Sequence, residues 1–119
     1  ELNSYVPDGC VFLKTKKNTL SAAIEVELSQ KSAIRLRNKI ERYASKGEYD
    51  FVFYICKDEH IYKVLFDCYE WILAHSPSVR FAVKKTAIYF ALLPKLKENF
   101  FEANFKSTHD EFKLRQFAR

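Results

Sequence analysis

Methionine is absent from this chain, and glycine occurs only twice, at Gly9 and Gly47. Two isolated glycines cannot build a glycine-rich phosphate loop, so the common nucleotide-cradling motifs are excluded. Only three prolines occur, which argues against a linker or a low-complexity chain. Cysteine is scarce and odd in number: Cys10, Cys56 and Cys68. They form no C-x-x-C pair, and no zinc-ligand pattern joins them to His60, His75 or His109. Zinc is therefore not expected, and no elbow motif marks a serine or cysteine nucleophile. The apolar neighbours Val11, Ile55 and Phe66 point to buried free thiols in a reducing compartment, so a cytoplasmic location is expected. No apolar run approaches the roughly 20 residues that cross a bilayer, so no membrane partner is expected. No signal peptide opens the chain. With Glu at position 1 and no Met, an excised domain of a longer protein is expected.

What remains is rich in core material. Of 119 residues, 48% are hydrophobic, with eleven Phe and seven Tyr, enough to build one well-packed domain. The net charge is +5, and it is unevenly placed. Residues 31–46 carry Lys31, Arg35, Arg37, Lys39, Arg42 and Lys46 against the lone acid Glu41. A basic stripe confined to one element points toward a polyanion.

Residues 9–15 (GCVFLKT) and 20–28 (LSAAIEVEL) read as two strands joined by a polar hairpin turn. Ser29 is placed to cap a helix whose apolar residues Ala33, Leu36, Ile40, Tyr43 and Ala44 follow a 3–4 spacing. Lys31, Arg35, Lys39, Arg42 and Lys46 gather on another face of it, and Gly47 ends it. Residues 49–56 (YDFVFYIC) form an almost unbroken apolar run and read as a buried central strand. Lys57-Asp58-Glu59 opens a second helix, cored by Ile61, Val64, Leu65, Cys68 and Ile72 with Trp71 packed beside them, and Ser76-Pro77-Ser78 closes it. Residues 79–85 fit a short strand or a loop, and 86–93 (TAIYFALL) a further core strand. The order predicts an α/β fold: a mixed β-sheet flanked by helices, β-β-α-β-α-β. The boundaries expected are a core over 1–94 and a helical extension over 95–119. That tail mixes charges with Phe100, Phe101, Phe105, Phe112 and Phe117, which need cover from this domain, a neighbour or a second copy of the chain. A homodimer through the Phe-rich tail is one such arrangement.

Two features carry chemistry. Glu25 and Glu27 lie one residue apart in the second strand, so they project to one face. A hairpin brings Asp8, in Pro7-Asp8-Gly9, toward that pair. Three converging carboxylates repel unless a cation sits among them, and magnesium or manganese favours such oxygen ligands. The plainer alternative is an exposed hairpin with acids on its wet face.

Pro7-Asp8, then Glu25-Val26-Glu27, then the helix from Lys31 resemble the PD-(D/E)XK nuclease-like superfamily, whose fold is restriction-endonuclease-like. The string IEVELSQKSAIRLRNKIERY followed by YDFVFYI also resembles bacterial plasmid replication-relaxation and mobilisation proteins. The resemblance spans residues 5–93. It implies Asp8 and Glu25 as ligands of Mg2+ or Mn2+, with the Val26 carbonyl completing the set. It implies Glu27 as the residue that orients or deprotonates a water, standing where the family carries lysine. It implies Lys31 as a displaced positive charge that offsets charge on the phosphate. Lys31, Arg35, Lys39, Arg42 and Lys46 would hold the DNA backbone, an attraction that falls with salt.

Three functions fit: a metal-dependent DNA endonuclease, a non-catalytic DNA-binding module of a plasmid replication or mobilisation factor, and a protein-interaction domain. Glu27 in the lysine position favours the second.

Overall fold

The computed structural model describes residues 6–30 and 32–117, with side chains through residue 116. Its elements run β1 (Gly9–Lys14), β2 (Thr19–Glu27), α1 (Ala33–Lys46), β3 (Phe51–Cys56), α2 (Glu59–His75), α3 (Pro77–Ala82), β4 (Ala87–Leu92), α4 (Leu93–Glu98), β5 (Asn104–Lys106) and β6 (Glu111–Lys113), ending in a 3-10 turn, Leu114–Phe117. The strands form one six-stranded sheet in sequential order. β2, β3 and β4 are parallel, and the β1–β2, β4–β5 and β5–β6 pairs are antiparallel. A mixed α/β sheet flanked by helices is thus observed.

Two consecutive crossovers that advance in one direction place their helices on one face of the sheet. The core on that face joins Leu36, Ile40 and Tyr43 of α1 and Ile61, Leu65 and Tyr69 of α2 to Ala23, Val52, Tyr54 and Phe90 of the strands. The opposite face buries Ala22, Phe53, Ile55, Tyr89 and Ala91 under Phe105 and Leu114, with Leu93 and Leu96 of α4 packed alongside. β3 is covered on both faces, which is why its sequence is apolar without alternation.

Local chemistry sets the boundaries. α1 begins at Ser32, not Ser29: the Ser32 hydroxyl accepts the Arg35 N–H at 3.2 Å. Gly47 ends α1 with φ 60°, a left-handed conformation that glycine adopts at little cost. Asp58 caps α2 by accepting the Ile61 N–H at 2.9 Å. Residues 77–82 form a helix rather than a strand or a loop, and Pro77 suits its first turn.

The tail departs most from the expected helical extension. After α4 it forms two three-residue strands that continue the main sheet, with Phe105 directly opposite Phe112 and their rings stacked at 5.4 Å. Each phenylalanine sits between polar residues, an alternation too short to outweigh the helical look of the surrounding charges. Phe105 is buried, but Phe100 and Phe101 remain half exposed. Trp71 is also half exposed; it stacks on His75 at 4.1 Å with Arg37 on its ring at 5.3 Å. The three cysteines are free; Cys56 is buried as expected, whereas Cys10 is exposed and Cys68 lies between. No described helix is long and apolar enough to cross a membrane.

Candidate functional site

The acids of β2 are the buried face of that strand. Ala23, Glu25 and Glu27 alternate toward α1, and Glu25 and Glu27 are only 1% and 5% exposed. Val26 and Leu28 are the exposed residues, at 37% and 58%. The wet-face alternative is therefore reversed. A strand that ends in two buried carboxylates needs partners for them, because an unpaired buried charge is costly.

α1 supplies partners. Lys39 and Tyr43 are four residues apart, so they share one side of the helix. The Lys39 ammonium donates to Oε1 of Glu25 at 2.8 Å, and the Tyr43 hydroxyl donates to Oε2. Burial, then the Glu25 hydrogen bond, then the Glu25 charge hold the Tyr43 pKa well above the usual tyrosine range. The charge of Asp8 adds to this. Tyr43 is thus a fixed neutral donor.

The residue just before β1 supplies the other carboxylate. Oδ2 of Asp8 accepts the Val26 N–H at 2.7 Å. Gly9 pairs with Ile24, so the register carried one residue further sets Asp8 opposite Glu25, on the same face. Asp8 is exposed where Glu25 is sealed.

β3 closes the site from behind. Tyr54 pairs in register with Glu25, and Cys56 with Glu27. Tyr54 is wholly buried, and its hydroxyl has no hydrogen-bond partner among the described residues. Burial first, then the Glu25 charge, raises its pKa. Burial first, then the Glu27 charge, pushes the Cys56 thiol up to about 12. The two acids stand toward the carboxyl end of β2.

The basic residues extend from this point along α1. Arg35 and Lys46 are exposed, Lys39 reaches back to Glu25, and Arg42 is half buried beside a cleft of about 480 Å3 between α1 and α3. Lys31 lies outside the described residues. The structure therefore brings Asp8, Glu25 and Lys39 together, with Glu27 two residues on along the same face. Tyr43 and Tyr54 escaped sequence reasoning because each fits an apolar core pattern. The signal for Tyr43 was its position one turn after Lys39.

Among the described residues, no group of three or more His, Cys, Asp or Glu side chains is placed to hold a metal ion. Two carboxylates still suit magnesium, which commonly uses one or two together with substrate phosphates. Asp8 and Glu25 are the two carboxylates that the resemblance names for such an ion; Asp8 is exposed, whereas both oxygens of Glu25 are engaged by Lys39 and Tyr43.

Comparison with protein-family models, with curated proteins and with solved structures finds no match. The nuclease-like resemblance rests on the residues themselves.

Proposed function

We propose that this chain is a DNA-binding module of nuclease-like design, in which a basic helix face leads a phosphate backbone to a pair of carboxylates. The observation that supports this most is the position of Lys39. It belongs to the α1 stripe with Arg35, Arg42 and Lys46, and its ammonium rests on Glu25. Lys39 thus links the exposed stripe to the buried acid Glu25.

In this reading Arg35, Arg42 and Lys46 hold phosphates and orient the duplex, contributing affinity with little sequence information. Asp8 and Glu25 would hold Mg2+ or Mn2+, which would supply charge neutralisation and lower the pKa of a bound water. Tyr43 fixes the orientation of the Glu25 carboxylate. Glu27 is the candidate proton acceptor, the role that lysine fills in the superfamily that the chain resembles. A kinship with plasmid replication-relaxation and mobilisation proteins, which the sequence resembles, is part of the same proposal.

Fluorescence anisotropy with a short labelled duplex tests the binding reading. The expected result is binding that weakens in Arg35→Ala plus Arg42→Ala; an unchanged affinity removes α1 as the contact. Catalysis is tested separately by nicking of supercoiled plasmid with magnesium. A DNA endonuclease gives nicking that disappears in Glu25→Gln, and a binding module leaves the plasmid intact.

One observation favours a second reading, dimerisation. A groove of about 800 Å3 on the sheet face away from α1 is lined by Val11, Val26, Ile55, Phe100 and Phe101. Phe100 and Phe101 are 53% and 51% exposed, and contiguous apolar surface of this kind marks interaction sites. A second copy is the occupant proposed here. Sedimentation velocity should then show a dimer that Phe100→Ser plus Phe101→Ser converts to monomer.

A further inference from the structure

The two edges of the sheet are unlike. β6, at one end, is three residues long and carries the charges Glu111 and Lys113. Shortness and charge are ordinary protection of an edge against pairing with another chain. β1, at the other end, is less guarded. It runs from Gly9 to Lys14, pairs with β2 without a bulge, and bears its one charge at its last residue. Val11 and Phe12 in its middle are 38% and 69% exposed.

The register identifies the backbone groups that this edge leaves open. Thr15 donates its N–H to the Asn18 carbonyl at 2.8 Å, and the Val26 N–H turns toward Asp8. In an antiparallel pair, hydrogen-bonded positions alternate with positions that bond on the other side. Gly9, Val11 and Leu13 therefore bond to β2, and Cys10, Phe12 and Lys14 turn their N–H and C=O outward. Asp8, one residue before the strand, continues the outward set. Among the described residues no strand lies beyond them.

We infer that β1 pairs with β1 of a second copy, antiparallel about a two-fold axis, joining two sheets into one. Pairing through the outward residues has two close registers. One sets Val11 opposite Val11, the other Phe12 opposite Phe12. The first sets Asp8 opposite Lys14 of the other copy at both ends, with Gly9 opposite Leu13 and Cys10 opposite Phe12. The second sets Lys14 opposite Cys10, and Asp8 opposite Lys16, which lies past the end of the strand. Opposite charges directly across a strand pair are favourable, so charge complementarity selects the first. Asp8, Val11 and Lys14 are all exposed and open to a partner. This inference rests on the dimerisation reading and adds the surface, the orientation and the register. Val11 and Leu13 also line the apolar groove, so the added strand extends its floor.

The experiment combines sedimentation velocity with thiol cross-linking. In a Cys10→Ser, Cys68→Ser background, Val11→Cys places two thiols on residues about 4.5 Å apart at Cα, within disulfide reach. Mild oxidation with diamide should link it into a covalent dimer, and Lys16→Cys in the same background should stay unlinked. Lys14→Glu and Asp8→Lys each set like charges opposite, so each alone should weaken the dimer about tenfold. Mixed, the two variants restore opposite charges at both ends and should form a heterodimer as tight as the wild-type dimer. The inference is overturned by a dimer that yields no disulfide in Val11→Cys, or links Lys16→Cys as readily, or whose charge variants fail to pair when mixed. If Asp8→Lys fails to fold by circular dichroism, Lys14→Glu and Val11→Cys decide. The underlying reading fails differently, with wild type monomeric at every concentration. A dimer abolished by Phe100→Ser plus Phe101→Ser that forms no disulfide in Val11→Cys keeps the groove and removes the strand pairing.

Discussion

The Lys39 ammonium lies 2.8 Å from a Glu25 carboxylate that is only 1% exposed, whereas Lys39 itself keeps 25% of its side-chain surface in water. That asymmetry orders the mutational costs. Lys39→Met strands a buried anion and should lower stability by about 3 kcal/mol. Glu25→Gln leaves a lysine that can turn to solvent and an amide that can still accept from Tyr43. It should cost only about 1 kcal/mol. Urea unfolding of the two variants gives the comparison, and equal costs would contradict the geometry.

Alkaline stability follows from the buried acids with raised pKa. Burial pushes Cys56 to about 12 from 9.0 and Tyr69 to about 12 from 10.0. Tyr43 and Tyr54 move in the same direction. Above pH 9 the unfolded chain has released protons that the folded chain keeps, so unfolding is increasingly favoured as pH rises. Stability from these groups is complete below pH 9 and declines through about pH 12. Thermal midpoints taken between pH 8 and pH 11 should fall steadily at the alkaline end. Tyr69→Phe should flatten the fall, since it removes one of the titrating groups.

The stripe makes a quantitative statement about salt. Removing one cation that binds a phosphate lowers the slope of log affinity against log salt by about one. Arg35→Ala plus Lys46→Ala removes two exposed cations of α1 and should reduce the slope by about two. Duplex affinity measured between low and moderate salt tests this. An unaltered slope would place the DNA on another surface.

The tail is part of the core. Phe105 is 2% exposed and lies 4.7 Å from the Phe53 ring, centroid to centroid. Phe105→Ala should cost about 3–5 kcal/mol. Phe101→Ser, at a half-exposed position, should cost far less. Denaturant midpoints separate the two.

The central architecture was legible because long-range packing and local pattern agree there. The β1–β2 hairpin, the apolar run of β3, the cap at Asp58 and the stop at Gly47 all follow from residues that leave few alternatives. The start of α1 was not legible, because Ser29 and Ser32 are both good caps and only the distance to the sheet separates them. Strands β5 and β6 were hidden because three residues cannot establish an alternation, and their pairing depends on β4. Of the site, spacing placed Glu25 and Glu27 on one face but did not reveal that the face is buried. Ala23, which lies on that same face, carries the hint: a small apolar residue in line with two acids belongs to an interior. Lys39 read as one cation among several, since only the tertiary fold tells which of them meets a carboxylate.

The most direct test is a calorimetric titration of Mn2+ into the duplex-bound protein, comparing wild type with Asp8→Asn. The variant keeps an oxygen for the Val26 amide, so only the charge is removed. Wild type should show one protein-dependent site whose affinity falls at least tenfold in the variant. Identical titrations for the two proteins would contradict the paired-carboxylate site.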